Sequence, residues 1–536
     1  MNTGSRPEAV NVIGSLPPRQ VTLSLAGVML AMFLSSLNQT VVSTAMPRII
    51  TDLGGFSQYA WVTTSFLITS TVVVPITGKL TDMYGRKLFY IAGILIFTIG
   101  SLLCGFSQSI TQIIIFRGIQ GLGAGVMMTN AFTVIGDLFP PDERGKYSGL
   151  LSAMFGISSV IGPTLGGFIT DTLSWHWVFF INVPLGFFVI GMFLRFFPNL
   201  RPSHVKHKVD YWGVVTLVLA VMPAMIALSW GGVEYPWASS QIISMFVFSV
   251  IMLGVFLYIE GKGHEPIIPF SLFKNRVVTV SLVITFITGI STFGVITFVP
   301  LFFQGVMGAT ATASGSFLTP MMLGTVIGSI VSGQMLSRTG GHYKLQGAIG
   351  IILTGTGLAL LWRMTPTTSY GIAVMNITFT GFGQGILMPC YTLAVQNSVP
   401  NRVLGVATSA SLFFRSIGST LGIAVFGSVM ANRFSSAFLT GVSPEIKAVL
   451  PPDQLSALVD NPQVLVNPEA QMRLKELFDG LGMEGPTLFE KVLVTLQESL
   501  GSAISLIFLI ALGIILIAFI TNLFFKGGKL GDLQDR

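Results

Sequence analysis

Long apolar runs dominate this sequence and limit the folds open to it. Fourteen runs alternate with polar segments, most of them short, and each run has about the 20 residues that a helix needs to cross a bilayer. The runs are too long for strands and lack their alternation, so helices must satisfy the backbone within lipid. The sequence therefore predicts an all-α membrane protein with 14 transmembrane helices, numbered here in chain order. The runs cover residues 22–46, 59–78, 88–107, 111–135, 147–170, 177–197, 211–230, 241–260, 278–303, 312–335, 345–363, 369–394, 404–430 and 501–524.

Composition agrees with a chain that faces lipid. Charged residues make up 10% of it and the mean hydropathy is +0.76, whereas soluble proteins carry about 25% charged residues. The net charge of +7 lies in short loops rather than on one face or tail, which argues against a nucleic-acid partner. Cys104 and Cys390 lie inside apolar runs, so we expect neither a disulfide framework nor a metal site. The polar start of the chain and its long first run predict no cleaved signal peptide.

Basic residues indicate which side of the membrane each loop faces. With the N-terminus in the cytoplasm, most of the 29 Lys and Arg residues fall in inward loops, and the outward loops 3–4, 5–6 and 9–10 contain none. We therefore expect a multi-pass protein of the cell membrane with both termini cytoplasmic. The expected segments are a cytoplasmic tail (1–20), a six-helix bundle (21–200), two linker helices (201–262), a second six-helix bundle (263–524) and a cytoplasmic tail (525–536).

One outward loop, residues 431–500, is much longer than the others. It is polar, carries mixed charge and Pro451-Pro452, and contains helix-like stretches such as EAQMRLKELF. Two interpretations stay open: a solvated external loop, or a lid or lipid-contacting element over the outer mouth.

The two halves of the chain echo each other. GLGAGVMM (121–128) resembles GFGQGILM (381–388), GPTLGG (162–167) resembles GSTLGI (418–423), and GKLTDMYGRK (78–87) is matched more weakly at 333–342. The offsets are 255 to 260 residues, which indicates one duplicated unit. Two pseudo-symmetric six-helix bundles, with helices 7 and 8 inserted between them, predict a binding site between the halves and rocking of one half against the other.

The segment GKLTDMYGRK joins helices 2 and 3 on the predicted cytoplasmic face. Glycines there permit a tight turn and close approach of helices, and its charges are able to form ion pairs that break and re-form as the halves rock. We predict a gating network here, to which the inward cluster ERGK adds two residues. Its members are Gly78, Asp82, Gly85, Arg86, Lys87, Glu143 and Arg144.

This segment resembles the signature loop of the major facilitator superfamily. RGIQGLGAG (117–125) is similar to the fourth-helix motif of its proton-coupled exporters, and GISSVIGPTLGG (156–167) to the fifth-helix antiporter motif. WHWVFFINVPLG (175–186) resembles a segment of the fourteen-helix drug:proton antiporter branch. The resemblance covers about residues 20–430 and the last helix. It implies a transporter that exchanges drugs for protons, with no cofactor.

The resemblance also implies roles for particular residues. Arg117, a permanent cation inside a span, is implied in proton coupling, with Gln120 beside it. The fifth-helix motif implies a seam that suppresses leak, formed by Gly156, Gly162, Pro163, Gly166 and Gly167. Physically, these residues bend helix 5 and permit close packing.

Asn38 departs from the family pattern. The matching stretch of the antiporters commonly reads LDxT, whereas this sequence reads LNQT (37–40). The favoured role for Asn38 is a substrate-contacting amide, with a hydrogen bond between helices as the alternative; a glycosylation site is excluded by its place within a helix. Asn38 does not titrate, and we find no acid deep inside any predicted span. A proton carrier must then be a boundary carboxylate, either Asp137 or Asp171.

The predicted substrate is a lipophilic or amphipathic small molecule. A strongly cationic substrate is less favoured, because it prefers a buried carboxylate and we find none deep inside the predicted spans. Two functions stay open besides multidrug export with protons: a dedicated exporter of one metabolite or lipid that is not proton-coupled, and a transport-inactive sensor. Arg415 is either a cavity residue or a structural inter-helix pair. No metal, phosphate or nucleophile motif indicates an enzyme, and a monomer is expected. The candidate cavity residues are Asn38, Gln120, Met127, Phe293, Phe298, Gln384, Tyr391, Phe414 and Arg415.

Overall fold

Fourteen long helices follow one another in the part of the chain that the structure describes. In the computed structural model the described residues are 17–54, 58–199, 209–263, 265–308, 311–449, 451, 455, 465, 468–480 and 485–525, and no strand occurs within these ranges. The helices are α1 (Pro18–Leu53), α2 (Tyr59–Tyr84), α3 (Arg86–Gly105), α4 (Ile110–Leu138), α5 (Arg144–Thr172), α6 (Trp177–Phe196, in two pieces), α7 (Tyr211–Trp230), α8 (Ser240–Lys262), α9 (Arg276–Gly305), α10 (Ala311–Thr339), α11 (Tyr343–Trp362), α12 (Tyr370–Gln396), α13 (Leu404–Gly441) and α14 (Gly485–Leu523).

The predicted all-α membrane fold is confirmed. Within the described ranges, thirteen of these helices are long and apolar enough to cross a membrane. The remaining one, α10, coincides with the run at 312–335 and is rich in Gly, Ser and Thr. Most of both predicted tails, and the basic cluster at 201–208, lie outside the described residues.

The internal repeat appears as equivalent glycine contacts in the two halves. In α4, Gly121 packs against the Phe66 carbonyl of α2, and in α12 its counterpart Gly381 packs against the Met321 carbonyl of α10. A Cβ on any of these glycines would overlap the facing backbone. The repeated GxG pattern therefore forms the same close helix contact twice, once in each six-helix bundle.

The middle glycine of each repeat makes a second equivalent contact. Gly123 of α4 faces the Gly93 carbonyl of α3, where a Cβ would lie 2.6 Å from that oxygen. Gly383 of α12 faces the Gly350 carbonyl of α11 at 2.8 Å. Alternate glycines thus let α4 and α12 approach two neighbours at once.

Two further glycine pairs join the halves at one end of the bundle, where α2 gives way to α3. We call this end, which the sequence predicts to be cytoplasmic, the inner end. Gly78 of α2 lies against Gly405 of α13, and Gly145 of α5 lies against Gly333 of α10. These pseudo-symmetric contacts bring the two six-helix bundles together at the inner end.

The inserted helices α7 and α8 form a hairpin at the side of the bundle. They pack on each other and α7 packs on α2, while α8 leaves side chains such as Val250 and Ile251 more than half exposed. At the outer end the Trp237 Nε1–H of the hairpin donates to Ser428 Oγ of α13 at 2.7 Å. The hairpin therefore contacts both halves and presents its other face to lipid.

The segment predicted as a loop at 431–500 is largely helical where it is described. α13 continues to Gly441, α14 begins at Gly485, and a helix at Pro468–Asp479 packs on α14 through Phe478 and Phe489, whose rings are 6.2 Å apart. Lys491 Nζ donates to Glu445 Oε2 at 2.6 Å, and this contact lowers the pKa of Glu445. The apolar side chains of the segment, such as Ile446 and Phe478, therefore extend the hydrophobic core of the second bundle.

Candidate functional site

The inner end carries a charge network that crosses between the halves. Asp82, at the end of α2, accepts the backbone N–H of Gly405 at 2.9 Å and of Val406 at 2.8 Å, both in the first turn of α13. Arg86 donates to Asp82, and its Nε donates to Asp137 Oδ2 of α4 at 2.8 Å. The Asp82 and Arg86 side chains are each 5% exposed. A carboxylate at a helix N-terminus stabilises the helix dipole, so this contact favours the closed inner end.

Arg144 adds a second link across the same end. Its Nη1 donates to Asn397 Oδ1 at 2.8 Å, and its other nitrogens donate to the Phe139 and Gly136 carbonyls. Asn397 follows α12, so this hydrogen bond joins the two halves. The hydrogen bonds that we observe between the six-helix bundles lie at the inner end, which is therefore closed.

Three other predicted members of the network differ in their contacts. Lys87 Nζ donates to the Leu194 carbonyl at 3.1 Å and the Phe197 carbonyl at 2.8 Å, which caps the end of α6. Gly85 has a φ of 96°, a backbone conformation that favours glycine, and forms the turn between α2 and α3. Glu143, just before α5, is exposed and is not one of the buried ion-paired residues.

Arg117 lies in a buried polar cluster between α1, α2 and α4. Its Nη1 donates to Asn38 Oδ1 at 2.5 Å and to Gln120 Oε1 at 2.8 Å, and its Nε donates to the Val62 carbonyl at 3.3 Å. The guanidinium also lies 4.2 Å from the centroid of the Phe66 ring. Arg117, Asn38 and Gln120 are each at most 1% exposed, so the amides take the place of a counter-ion.

The three residues predicted for proton coupling do not come together. Asp137 follows Arg117 by 20 residues on α4, about 30 Å along the helix axis. Asp137 belongs instead to the inner network through Arg86. Asp171 is exposed near the end of α5. The structure therefore separates the buried cation from both boundary carboxylates.

The predicted seam in α5 packs mainly on α1. Gly162 faces Thr40 and Gly166 faces Thr44 and the Val41 carbonyl, with a Cβ on Gly166 2.8 Å from that oxygen. Gly156 instead faces Val326 of α10, across the two halves. Gly167 has open space around its Cα, and the half-buried Pro163 lies inside α5.

The predicted cavity residues divide by burial. Met127 and Phe298 are packed in apolar clusters. Gln384 is 8% exposed, and its Nε2 has no acceptor in the described chain. Phe293, Phe414 and Arg415 are half-buried. Tyr391 is 1% exposed and donates to Asn522 Oδ1 of α14 at 2.9 Å. It therefore faces the last helix.

Sequence reasoning missed a buried carboxylate at the inner end of α8. Glu260 is 3% exposed; its Oε1 accepts the Ile267 backbone N–H at 3.0 Å, and its Oε2 has no hydrogen-bond partner in the described chain. Asp210 caps α7, and both carboxylates flank Gly213. Glu260 is the final residue of the run 241–260, which was the available signal, and it lies at the end of the span rather than deep inside it.

The WHW motif forms part of the outer end of the first bundle. Trp175 Nε1–H donates to Asp52 Oδ2 at 2.9 Å, and the His176 ring stacks on Trp175 with centroids 3.7 Å apart. Partial burial lowers the pKa of His176, and nearby Asp52 opposes that shift. The motif thus ties the end of α1 to the start of α6.

The sequence resembles transporters of known family. Residues 28–423 match the Major Facilitator Superfamily. The multidrug transporter protein MdtP of Bacillus subtilis (strain 168) is 40% identical over 513 residues, which are 95% of this chain and 94% of that protein. Multidrug resistance protein 3 of the same strain is 42% identical over 410 residues, 76% of this chain and 80% of that protein.

Two more distant proteins are also similar to this chain. The MFS-type efflux pump LUC4 of Fusarium sp is 31% identical over 422 residues, 77% of this chain and 75% of that protein. The crystal structure of the human organic anion transporter MFSD10 (TETRAN) has a TM-score of 0.60 at 12% identity and covers 93% of this chain and 100% of that chain. This last comparison bears on the fold alone.

Proposed function

The chain belongs to the Major Facilitator Superfamily, and on that premise we propose that it exports lipophilic and amphipathic small molecules from the cell by alternating access, in exchange for protons. Relatives named for multidrug transport and efflux, similar over most of both chains, support this function. The observation that carries the mechanism is the Asp82 carboxylate on the first turn of α13. It links the two halves through a contact that must break for the inner end to open.

The closed inner end corresponds to an outward-facing transporter in the cell membrane, with both termini in the cytoplasm. In this state the glycine contacts of Gly78 and Gly145 and the hydrogen bond of Arg144 hold the halves together. Opening towards the cytoplasm removes the two backbone donors from Asp82. Substrate then enters from the cytoplasmic side before the halves rock back.

For the proton step we favour Asp137 over Asp171. Asp137 shares Arg86 with Asp82, so it feels any change in the Asp82 contact. When Asp82 loses the N–H groups of α13, two carboxylates compete for one guanidinium, which favours protonation of one of them. Arg117 stays charged and holds the α1–α4 contact beside Asn38.

A dedicated exporter without proton coupling is the second candidate. The observation that favours it is the pairing of Arg117 with the amides of Asn38 and Gln120. An amide does not titrate, so neither of the two side chains that accept from Arg117 responds to pH.

Flux in proteoliposomes tests these functions. Purified protein is reconstituted with a pH-sensitive dye inside, and lipophilic compounds are added with the pH gradient in either direction. Proton movement that depends on substrate supports exchange, whereas substrate flux without protons supports the uncoupled exporter. Saturable binding with no flux would reject both and indicate a sensor. Protein-free liposomes provide the control for passive leak.

A further inference from the structure

Arg117 and Arg415 lie far from the ends of their membrane-spanning helices, and their surroundings differ. Arg117 donates to Asn38, Gln120 and the Val62 carbonyl. For Arg415 of α13, the described chain supplies neither a hydrogen-bond acceptor for the guanidinium nor a nearby charged group. The Ser419 hydroxyl donates to its backbone carbonyl, not to its side chain. An unpaired charge within a bilayer is expensive and usually marks a functional site.

Arg415 lies on the inward face of α13. Thr408, Ser411, Ser419 and Gly422 are four or seven residues away, which places them on the same side of a helix, and all of them are buried. Arg415 itself remains half-buried. Its side chain therefore belongs to the protein interior rather than to the lipid face, in a place where some space stays accessible.

The position is also deep in the membrane. Arg415 follows the first residue of α13 by 11 residues, about 16 Å along the axis, and the hydrocarbon core is about 30 Å thick. The Ser411 hydroxyl, one turn closer to the inner end, is buried and lacks a hydrogen-bond partner in the described chain. A cation and an unsatisfied hydroxyl thus lie near the midplane on one face of the helix.

The largely buried carboxylates of the described spans lie far from Arg415. Asp82, Asp137 and Glu260, which are the largely buried carboxylates of the described spans, all lie at the inner end. Asn38 takes the place where the family commonly has an acid. The charges near the midplane are therefore positive, which favours a negatively charged ligand.

We propose that Arg415 binds the anionic head of an amphipathic substrate, a carboxylate, sulfonate or phosphate, and that lipophilic anions are the preferred substrates of this protein. The proposal rests on the export function proposed above and names its substrate class. The guanidinium holds the anion through charge-assisted hydrogen bonds, Ser411 supplies a further hydroxyl, and the apolar tail lies among side chains of the two bundles. The same anionic chemistry is present in a lipid headgroup, so the test separates the two sources.

A matched pair of fluorescent probes tests the proposal. The anion is 11-(dansylamino)undecanoate, and the neutral probe is its primary amide. Binding is measured by dansyl fluorescence with purified protein in phosphatidylcholine nanodiscs, and transport in proteoliposomes of the same lipid. We expect the protein to bind the carboxylate about ten- to a hundred-fold more tightly than the amide, the size of one charge-assisted interaction. Equal affinity, or tighter binding of the amide, overturns the proposal.

Substitutions test whether Arg415 is responsible for the tighter binding of the carboxylate probe. Arg415→Gln is expected to remove the preference for the carboxylate while amide binding persists, and Arg415→Lys to retain part of it. Arg402→Gln is the control, because Arg402 is an exposed arginine just before α13. If Arg415→Gln does not fold, the preference of the unaltered protein and of Arg415→Lys still decides. An unchanged preference in a folded Arg415→Gln rejects the assignment.

Two further arms separate the other outcomes. Nanodiscs that also contain phosphatidylglycerol show whether lipid competes: loss of the carboxylate preference there means that Arg415 binds a headgroup, which overturns the substrate class. Transport of the amide but not the carboxylate rejects lipophilic anions and leaves export intact. If neither probe, nor any compound of the wider panel, is transported, the export function itself fails.

Discussion

The carboxylate of Asp82 accepts the backbone N–H groups of Gly405 and Val406, at 2.9 and 2.8 Å, from the opposite half of the molecule. Gly78, one turn earlier on α2, lies against Gly405 so closely that a Cβ would be 2.6 Å from the Gly405 carbonyl. Close approach and charge pairing therefore reinforce each other. The contact couples the charge state of one side chain to the position of an entire helix.

Replacing Asp82 tests this coupling. Asp82→Ala removes both acceptors for α13 and leaves Arg86 with Asp137 and the Thr81 hydroxyl. We therefore expect transport to fall at least ten-fold while membrane insertion persists. Asp82→Asn keeps one acceptor oxygen and has no charge, so its transport should lie between that of Asp82→Ala and that of the unaltered protein. The measurement is substrate flux in proteoliposomes, normalised to inserted protein.

Asp142→Ala is the matched control, because Asp142 is an exposed carboxylate at the same end. It should leave flux unchanged. Normal flux in Asp82→Ala would remove the gating role of the network.

Adjacent glycines of α5 allow a controlled test of the seam. Gly166→Ala places a Cβ against Thr44 and 2.8 Å from the Val41 carbonyl, whereas Gly167→Ala meets nothing within 4 Å. Overpacking costs about 1–3 kcal/mol, so Gly166→Ala should unfold at a lower temperature in detergent and leak more substrate. Gly167→Ala should match the unaltered protein. Similar behaviour of the two variants would contradict close packing of α5 on α1.

Much of the scaffold was predictable because its signals are local. The GxG repeats at 121–125 and 381–385 predicted two equivalent bundles, since small residues at these spacings permit close packing wherever they occur. The helical start of α14 was missed. Its polar residues conceal an inward stripe, Leu488, Val492 and Leu496, with the four-residue spacing of a helix face. Hydropathy averaged over a window loses such a stripe.

The polar sites were less predictable because each depends on contacts between distant helices. Asn38 and Arg117 were each singled out by type, yet their hydrogen bond requires the packing of α1 on α4. The separation of Arg117 from Asp137 likewise follows from helix length rather than from any motif. Residue identity indicated which groups must be satisfied, and only the fold specifies their partners.

The Asn38–Arg117 hydrogen bond predicts different effects for two substitutions. Asn38→Leu removes the acceptor 2.5 Å from Arg117 Nη1 and should destabilise the protein by about 1.5–3 kcal/mol, the worth of a hydrogen bond to a charged group. Asn38→Asp keeps an acceptor and adds an ion pair, so it should remain stable. Thermal unfolding in detergent compares them.

The same Asn38→Asp variant bears on substrate charge. Because Arg117 is in place to neutralise the new carboxylate, we expect little gain in binding of cationic dyes. Much tighter dye binding would mean that position 38 faces the substrate. Equal unfolding of the leucine variant and the unaltered protein would remove the structural role of Asn38.

Tyr391 distinguishes packing from substrate contact on α12. Its hydroxyl donates to Asn522 Oδ1 at 2.9 Å, and Asn522 Nδ2 donates to the Lys344 carbonyl at 3.0 Å, so the pair joins α12 and α14 to the start of α11. Tyr391→Phe should therefore lower stability by about 1 kcal/mol and leave the apparent KM for every transported compound unchanged. Asn522→Ala should lower stability more, because it removes both hydrogen bonds. A raised KM in Tyr391→Phe with stability unaltered would instead place the hydroxyl on the substrate path, since a buried structural donor has no means of acting on substrate affinity alone.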